Sequence, residues 1–165
     1  AETIIDLNVE EELGLGELLF LMSEDNMRLQ LRQPWMKFGT DAGSSDPATA
    51  QGMVHPRTYG NFPRIFARYV REQQVLTLED AVRKASAAVA TRLSLDDRGV
   101  LRAGLKADVI VIDPTTIRDN ATFEKPHQLS TGVRDVFVNG VAVLRNGEHT
   151  GAKPGVVVRG PGYRR

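Results

Sequence analysis

Two Val-rich runs meet at Asn139-Gly140, and that junction constrains the fold more than any other feature of the chain. Residues 133–138 and 141–144 are short and largely β-branched. Asn-Gly between two such runs is the preferred loop of a type I′ hairpin. Asn146-Gly147 marks a further turn just beyond. Upstream, Val109-Ile110-Val111-Ile112 is a fully apolar run closed by Asp113-Pro114, which reads as a buried strand. Residues from about 98 to 160 are therefore expected to be β-rich. Asp108 and Asp113, at the ends of that run, read as turn and cap residues.

The preceding part has a different rhythm. Residues 3–12 carry Ile4, Ile5 and Leu7 on one side and Glu10, Glu11 and Glu12 on another, a helical pattern that Gly14 and Gly16 break. Residues 17–22 form a short apolar run suited to a buried strand. Ser23 with Glu24 and Asp25 is an N-cap with an acidic first turn, which predicts a helix to about Leu31. Pro34 stops it, and residues 35–40 read as a second strand. Helix, strand, helix and strand with short links describe a parallel α/β layer. After a loop over residues 42–58, Pro63 suits a first helical position, and Phe62, Ile65, Phe66, Tyr69 and Val70 form a stripe. Thr77 followed by Asp80 resembles a capping box, opening a helix with a stripe of Leu78, Ala81, Val82, Ala85 and Val89.

Bulk properties narrow the partners. Lys plus Arg is 21 and Asp plus Glu is 21, so no net field attracts nucleic acid or an anionic membrane. The basic end at residues 159–165 reads as a solvated tail. With no Cys, the chain suits a reducing compartment, and a cytoplasmic location is expected. No apolar run reaches the ~18 residues of a membrane span, and the start has no signal-peptide pattern. With no initiating Met, it reads like the middle of a protein.

Asp41 is the outstanding chemical candidate. It closes the segment Trp35-Met36-Lys37-Phe38-Gly39-Thr40 and opens a loop rich in Gly, Ser and Pro. In a parallel α/β enzyme a residue at the C-terminal tip of a strand faces the active site, where a carboxylate can carry a proton or face a metal. The alternative is a turn or helix cap, for which Asp is also favoured.

The order of features beyond Asp41 completes a pattern: His55-Pro56-Arg57-Thr58-Tyr59-Gly60, then Phe62-Pro63-Arg64-Ile65 and Tyr69-Val70-Arg71-Glu72. Leu78-Glu79-Asp80-Ala81-Val82-Arg83-Lys84, Asp97-Arg98-Gly99, Gly104-Leu105-Lys106-Ala107-Asp108 and Val138-Asn139-Gly140 follow. From Thr3 to about Gly162 the chain resembles the C-terminal third of the N-acyl-D-amino-acid deacylases (D-aminoacylases), a branch of the metal-dependent amidohydrolase superfamily. Gly-x-Lys-Ala-Asp is common across the superfamily, whereas His-Pro-Arg-x-Tyr-Gly points to the deacylase branch. The strand-end motif of these enzymes is usually Gly-Ser-Asp-Gly; here Thr40 keeps the hydroxyl and Ala42 replaces the last Gly.

The resemblance implies an α/β fold: the closing portion of a (β/α)8 hydrolase barrel over residues 1–97, then strands of a small β-sandwich over 98–165 with a basic tail. At 165 residues the chain is too short for a whole barrel, which needs about 200 or more. It also implies hydrolysis of the linear amide of N-acyl-D-amino acids, with Asp41 as general base and acid beside zinc, one or two ions of it. His55, Arg57 and Tyr59 would contact substrate, or else brace the loop through an ion pair of Arg57. The family's His-x-His pair and its Cys or carboxylated Lys ligands are absent from the sequence. A catalytic zinc wants three protein ligands, so apart from Asp41 they are expected in a complementary N-terminal segment. His127 and His149 read as surface or turn residues. An excised piece is expected to be inactive and to depend on that segment or on self-association as a homo-oligomer. Two alternatives stay open: a non-catalytic β-rich scaffold or interaction module, and a cyclic amidohydrolase of the dihydroorotase or hydantoinase kind.

Overall fold

The computed structural model describes residues 5–6, 9–10 and 21–163. Of the expected helix over residues 3–12 only residues 5–6 and 9–10 are described, and they are helical; most of the apolar run 17–22 and Arg164 and Arg165 of the basic end lie outside the described residues. The described part holds helices followed by one antiparallel sheet.

Helix α1 (Glu24–Leu31) starts where its cap chemistry dictates: Ser23 Oγ accepts the Asn26 N–H at 3.4 Å, with Glu24 and Asp25 beside the partial positive charge of the helix start. Residues 35–40, expected as a strand, run as irregular chain. A strand exists through its ladder, and no neighbour pairs with this segment among the described residues. The apolar composition alone did not distinguish the two states, and Trp35 is exposed.

Helix α2 (Arg57–Arg64) begins six residues before Pro63 and runs through it, passing directly into a π-helical stretch at Ile65–Glu72. Pro63 is therefore not a first-turn residue. Its ring lacks an N–H and crowds the carbonyl four residues back, and the helix widens beyond it. Gln73 N–H donates to the Arg68 carbonyl at 2.8 Å, a five-residue step.

Helix α3 (Leu78–Ala85) is capped as expected, Asp80 N–H donating to Thr77 Oγ1 at 3.1 Å. The anticipated continuous helix to Val89 is broken at Ser86, with φ −133° and ψ −85°, before α4 (Ala87–Arg92). Ser86 Oγ donates instead to the Gly99 carbonyl at 2.9 Å, the competition between side chain and helix that Ser brings. Val82 of the expected stripe is exposed.

The core joins these helices: Leu31 of α1, Ile65 and Tyr69 of the π-helical stretch, Leu76 and Ala81 are buried, with Met27, Phe38, Phe62, Phe66 and Val70 packed around them. The expected stripe from Phe62 to Val70 is thus realised. Lys84 is fully buried as well. Its ammonium meets Asp80 at 2.8 Å and the Leu31 carbonyl at the end of α1. Arg83 donates to the Pro34 carbonyl at 2.9 Å, so α3 satisfies the Leu31 carbonyl left open at the end of α1 and a further carbonyl in the turn beyond it.

The sheet runs β1 (Val109–Ile112), β2 (Val133–Val138), β3 (Val141–Arg145) and β4 (Glu148–His149), each antiparallel to the next. No parallel pairing occurs among the described residues, contrary to the expected parallel layer. Asn139 and Gly140 have φ of 49° and 81°, and Asn146 and Gly147 of 50° and 83°, the left-handed pairs of a type I′ turn. Strand β1 is an edge, and Ile110 is 63% exposed, so the run is not buried on both faces as its composition indicated. Asp108 accepts the Asn139 N–H at 2.8 Å and pairs with Arg98 at 2.6 Å. Asp113 accepts from the Thr115 N–H at 2.8 Å and the Thr116 hydroxyl at 2.9 Å. Both are the turn and cap residues expected.

The helices meet the β-rich part at the chain after β1. Arg71 donates to the Ile117 carbonyl at 2.7 Å, and Arg64 pairs with Asp119 at 3.0 Å. Gly60 lies so close that a Cβ there would stand 2.8 Å from Asp119 Cβ.

Candidate active site

The loop opened by Asp41 is held from helix α2 by three side chains. Arg57 Nη2 lies 2.8 Å from Asp41 Oδ2, Tyr59 shares a hydrogen bond of 3.0 Å with Ser45, and Asn61 Nδ2 donates to the Gly39 carbonyl at 3.1 Å. Within the loop, Asp46 accepts the Ala48 N–H at 2.9 Å and forms a turn through residue 50. Asp41 has φ 46°, the left-handed region where Asp and Asn are enriched among non-glycine residues. Residue 42 has no positive φ, which explains why Ala42 stands where related motifs carry Gly. The Asp41 side chain is 90% exposed.

His55 and Arg57 line a cleft of about 870 Å³ whose walls also include Met27, Phe38, Arg64 and Phe123. Asp41 touches this cleft through Arg57 rather than as a wall residue. His55 Nδ1 accepts the Arg57 backbone N–H at 3.0 Å, and its ring stands edge-on to Phe123 at 5.2 Å. Burial, then the Arg57 and Arg64 cations, push the His55 imidazole below its ordinary pKa. With Nδ1 accepting, the ring's N–H is Nε2. Deeper in the cleft wall, burial raises the Glu24 pKa, but Arg68, Tyr69, Gln73 and Arg28 together outweigh it and leave the carboxyl below its usual range.

His127 enters this neighbourhood unexpectedly. Its Nδ1 lies 3.3 Å from the Tyr59 hydroxyl and its Nε2 2.8 Å from the Gly52 carbonyl. Sequence separation hid it; the only local signal was its position after Pro126. His149, in contrast, sits in β4 and accepts the Gly151 N–H at 3.0 Å, the turn role expected.

Among the described residues, no group of three or more His, Cys, Asp or Glu side chains converges. The donor set here does not by itself fit a catalytic zinc; Asp41 has an arginine, not further ligands, at its side.

The amidohydrolase family model matches residues 25–144. The chain is 36% identical over 165 residues to the N-acyl-D-aspartate deacylase of Alcaligenes xylosoxydans xylosoxydans, covering 96% of this chain and 32% of that protein. It thus spans about a third of this curated relative. A D-aminoacylase crystal structure, one that defined a novel subset of amidohydrolases, superposes with a TM-score of 0.74 at 34% identity, over 81% of this chain and 27% of that one. The N-acyl-D-glutamate deacylase of Bordetella bronchiseptica, complexed with zinc and a phosphonate mimic of the reaction tetrahedral intermediate, does so with a TM-score of 0.67. Its identity is 39%, over 74% of this chain and 25% of that one. A fold of helices and antiparallel strands that matches D-aminoacylase, and a family model spanning most of the chain, give one conclusion: this chain belongs to the amidohydrolase family.

Proposed function

We propose that this chain is the C-terminal part of a zinc-dependent, cytoplasmic amidohydrolase that cleaves the linear amide of N-acyl-D-amino acids. Residues 1–97 belong to its barrel and 98–165 to its β-domain, the second part of this division being supported by the position of every described strand after residue 98. Zinc would be held by ligands of the complementary N-terminal segment together with Asp41. When bound, it supplies a water of lowered pKa and a polarised carbonyl.

The observation that carries the reading is the Asp41–Arg57 contact beside a cleft lined by His55. Arg57 offers the planar fork that binds a carboxylate in two places, and every N-acyl amino acid presents one. Asp41 takes a proton from water as its oxygen bonds to the acyl carbon, then gives that proton to the amide nitrogen as the C–N bond breaks. The products are a carboxylate and a free D-amino acid. Protonation is required because an amide anion is a poor leaving group. His55 turns its Nε2–H outward from the Arg57 contact and is suited to donate to the acyl or carboxylate oxygen.

The test is Asp41→Asn in the complete enzyme. Turnover of N-acetyl-D-amino acids should fall by at least 10²-fold while zinc content stays at the unmodified level. Activity close to the parent enzyme would overturn the assignment.

A further inference from the structure

Between Asp41 and His55, the loop is fastened to the remainder of the molecule at Ser45 and Gly52, and both attachments converge on one imidazole. The Gly52 carbonyl can only accept, so His127 Nε2 carries the proton of the 2.8 Å bond. In the tautomer that this bond selects Nδ1 is an acceptor, and the Tyr59 hydroxyl donates to it at 3.3 Å. The Tyr59 oxygen is left to accept from Ser45 at 3.0 Å. The result is one directed chain from Ser45 through Tyr59 and His127 to Gly52.

The imidazole itself is firmly placed. Pro126 is fully buried. Gln128 N–H donates to the Pro126 carbonyl at 2.9 Å, and its side-chain amide donates to the Asn120 and Lys125 carbonyls, each at 2.8 Å. His127 also stacks edge-on with Tyr59, ring centres 5.8 Å apart.

We propose that His127 is a positioning residue for the Asp41 loop, a role that rests on the function proposed above. It acts through Tyr59 and Gly52 and touches neither substrate nor reacting atoms. Asp41 lies in the tethered loop, whereas Arg57 is carried by helix α2. Loosening the tether therefore misplaces the proton carrier and spares the carboxylate contact. The signature is a fall in kcat with KM preserved.

The experiment uses the complete enzyme with His127→Ala, His127→Asn, His127→Gln, Tyr59→Phe and the Tyr59→Phe/His127→Ala pair. For His127→Ala, kcat should fall between tenfold and about 10²-fold, the scale of a small misplacement, with KM within about twofold. Amide hydrogen exchange should rise in residues 42–54 and stay unchanged in β2 and β3. Asn restores the acceptor facing Tyr59 and Gln the donor facing Gly52, so each should recover part of kcat. The double variant should lose no more than His127→Ala alone. Unchanged kcat and loop exchange in His127→Ala, a loss confined to KM, or exchange raised equally throughout would each overturn the proposal. If His127→Ala does not fold, the Asn and Gln variants decide it by the same kcat and exchange criteria. Asp41→Asn run in parallel separates the two ideas: activity in that variant overturns the proton-carrier reading, whereas its inactivity beside a normal His127→Ala overturns the tether alone.

Discussion

Arg57 Nη2 stands 2.8 Å from Asp41 Oδ2, so the candidate proton carrier is held by the candidate carboxylate-binding cation. The two side chains are 41% and 90% exposed, and an ion pair so open to water adds only about 0.2–1 kcal/mol to stability. Arg57→Ala should therefore barely move the melting temperature while raising KM by about tenfold or more, the loss of a charged hydrogen-bonded contact. Arg57→Lys should recover little, because a point ammonium lacks the planar fork. A large drop in melting temperature with KM unchanged would make Arg57 a brace for the loop instead.

Gly60 sets the approach of helix α2 to the chain after β1. Alanine is the better helix former by about 1 kcal/mol, but its Cβ would stand 2.8 Å from Asp119 Cβ. Overpacking of this kind costs about 1–3 kcal/mol, and it would disturb the Arg64–Asp119 pair. Gly60→Ala is expected to be destabilising on balance, read by urea unfolding. A stabilised variant would show that the two segments separate freely.

Lys84 is the buried charge of the helical part. Lys84→Met keeps the length of the side chain but leaves the Leu31 carbonyl without its donor and removes one of the two cations facing Asp80. A loss of about 1–3 kcal/mol is expected, the scale for leaving a buried acceptor unsatisfied. Chemical denaturation checks it, and a neutral result would assign the stabilisation to packing of the aliphatic stem.

Acid should destabilise the protein in two steps. His55 has a folded pKa below its ordinary value of 6.5, so the unfolded chain binds that proton more readily and stability falls as pH drops from 6.5 through the folded value. Burial raises the Asp80 pKa, but Lys84 and Arg83 outweigh it and leave the carboxyl depressed; Glu24 is likewise depressed on balance. Their stabilisation is present above the ordinary carboxylate range and is lost below it. His55→Asn keeps an acceptor for the Arg57 N–H, and it should abolish the first step only. An unaltered acid limb in urea melts at pH 7 and at pH 5 would refute the role of His55.

The elements legible in the sequence were those whose cause is local. Ser23 and Thr77 cap their helices by bonding backbone three residues away, and Asn139-Gly140 and Asn146-Gly147 turn because each pair adopts positive φ. Residues 35–40 failed as a strand because a strand depends on a neighbour, which composition does not supply. The mid-helix place of Pro63 is not legible because widening of a helix leaves no periodic trace, nor is the break at Ser86, whose hydroxyl answers to a carbonyl 13 residues on. In the candidate site, Asp41, His55, Arg57 and Tyr59 are candidates because they fall within one stretch of motif. His127 was not, since 68 residues separate it from Tyr59, and no pattern in its own neighbourhood encodes that meeting.

The left-handed backbone at Asp41 imposes a second filter on that position, independent of its chemistry. Glycine and Asn enter this conformation readily, whereas β-branched residues do so only at a cost of about 1–2 kcal/mol or more. A tolerance map of all substitutions at residue 41 should separate into two profiles. Abundance of folded protein would favour Asn and Gly and penalise Val, Ile and Thr, while turnover would reject every residue except Asp. The difference between the profiles measures how far the choice of Asp over Glu at this position was settled by backbone geometry before any proton moved.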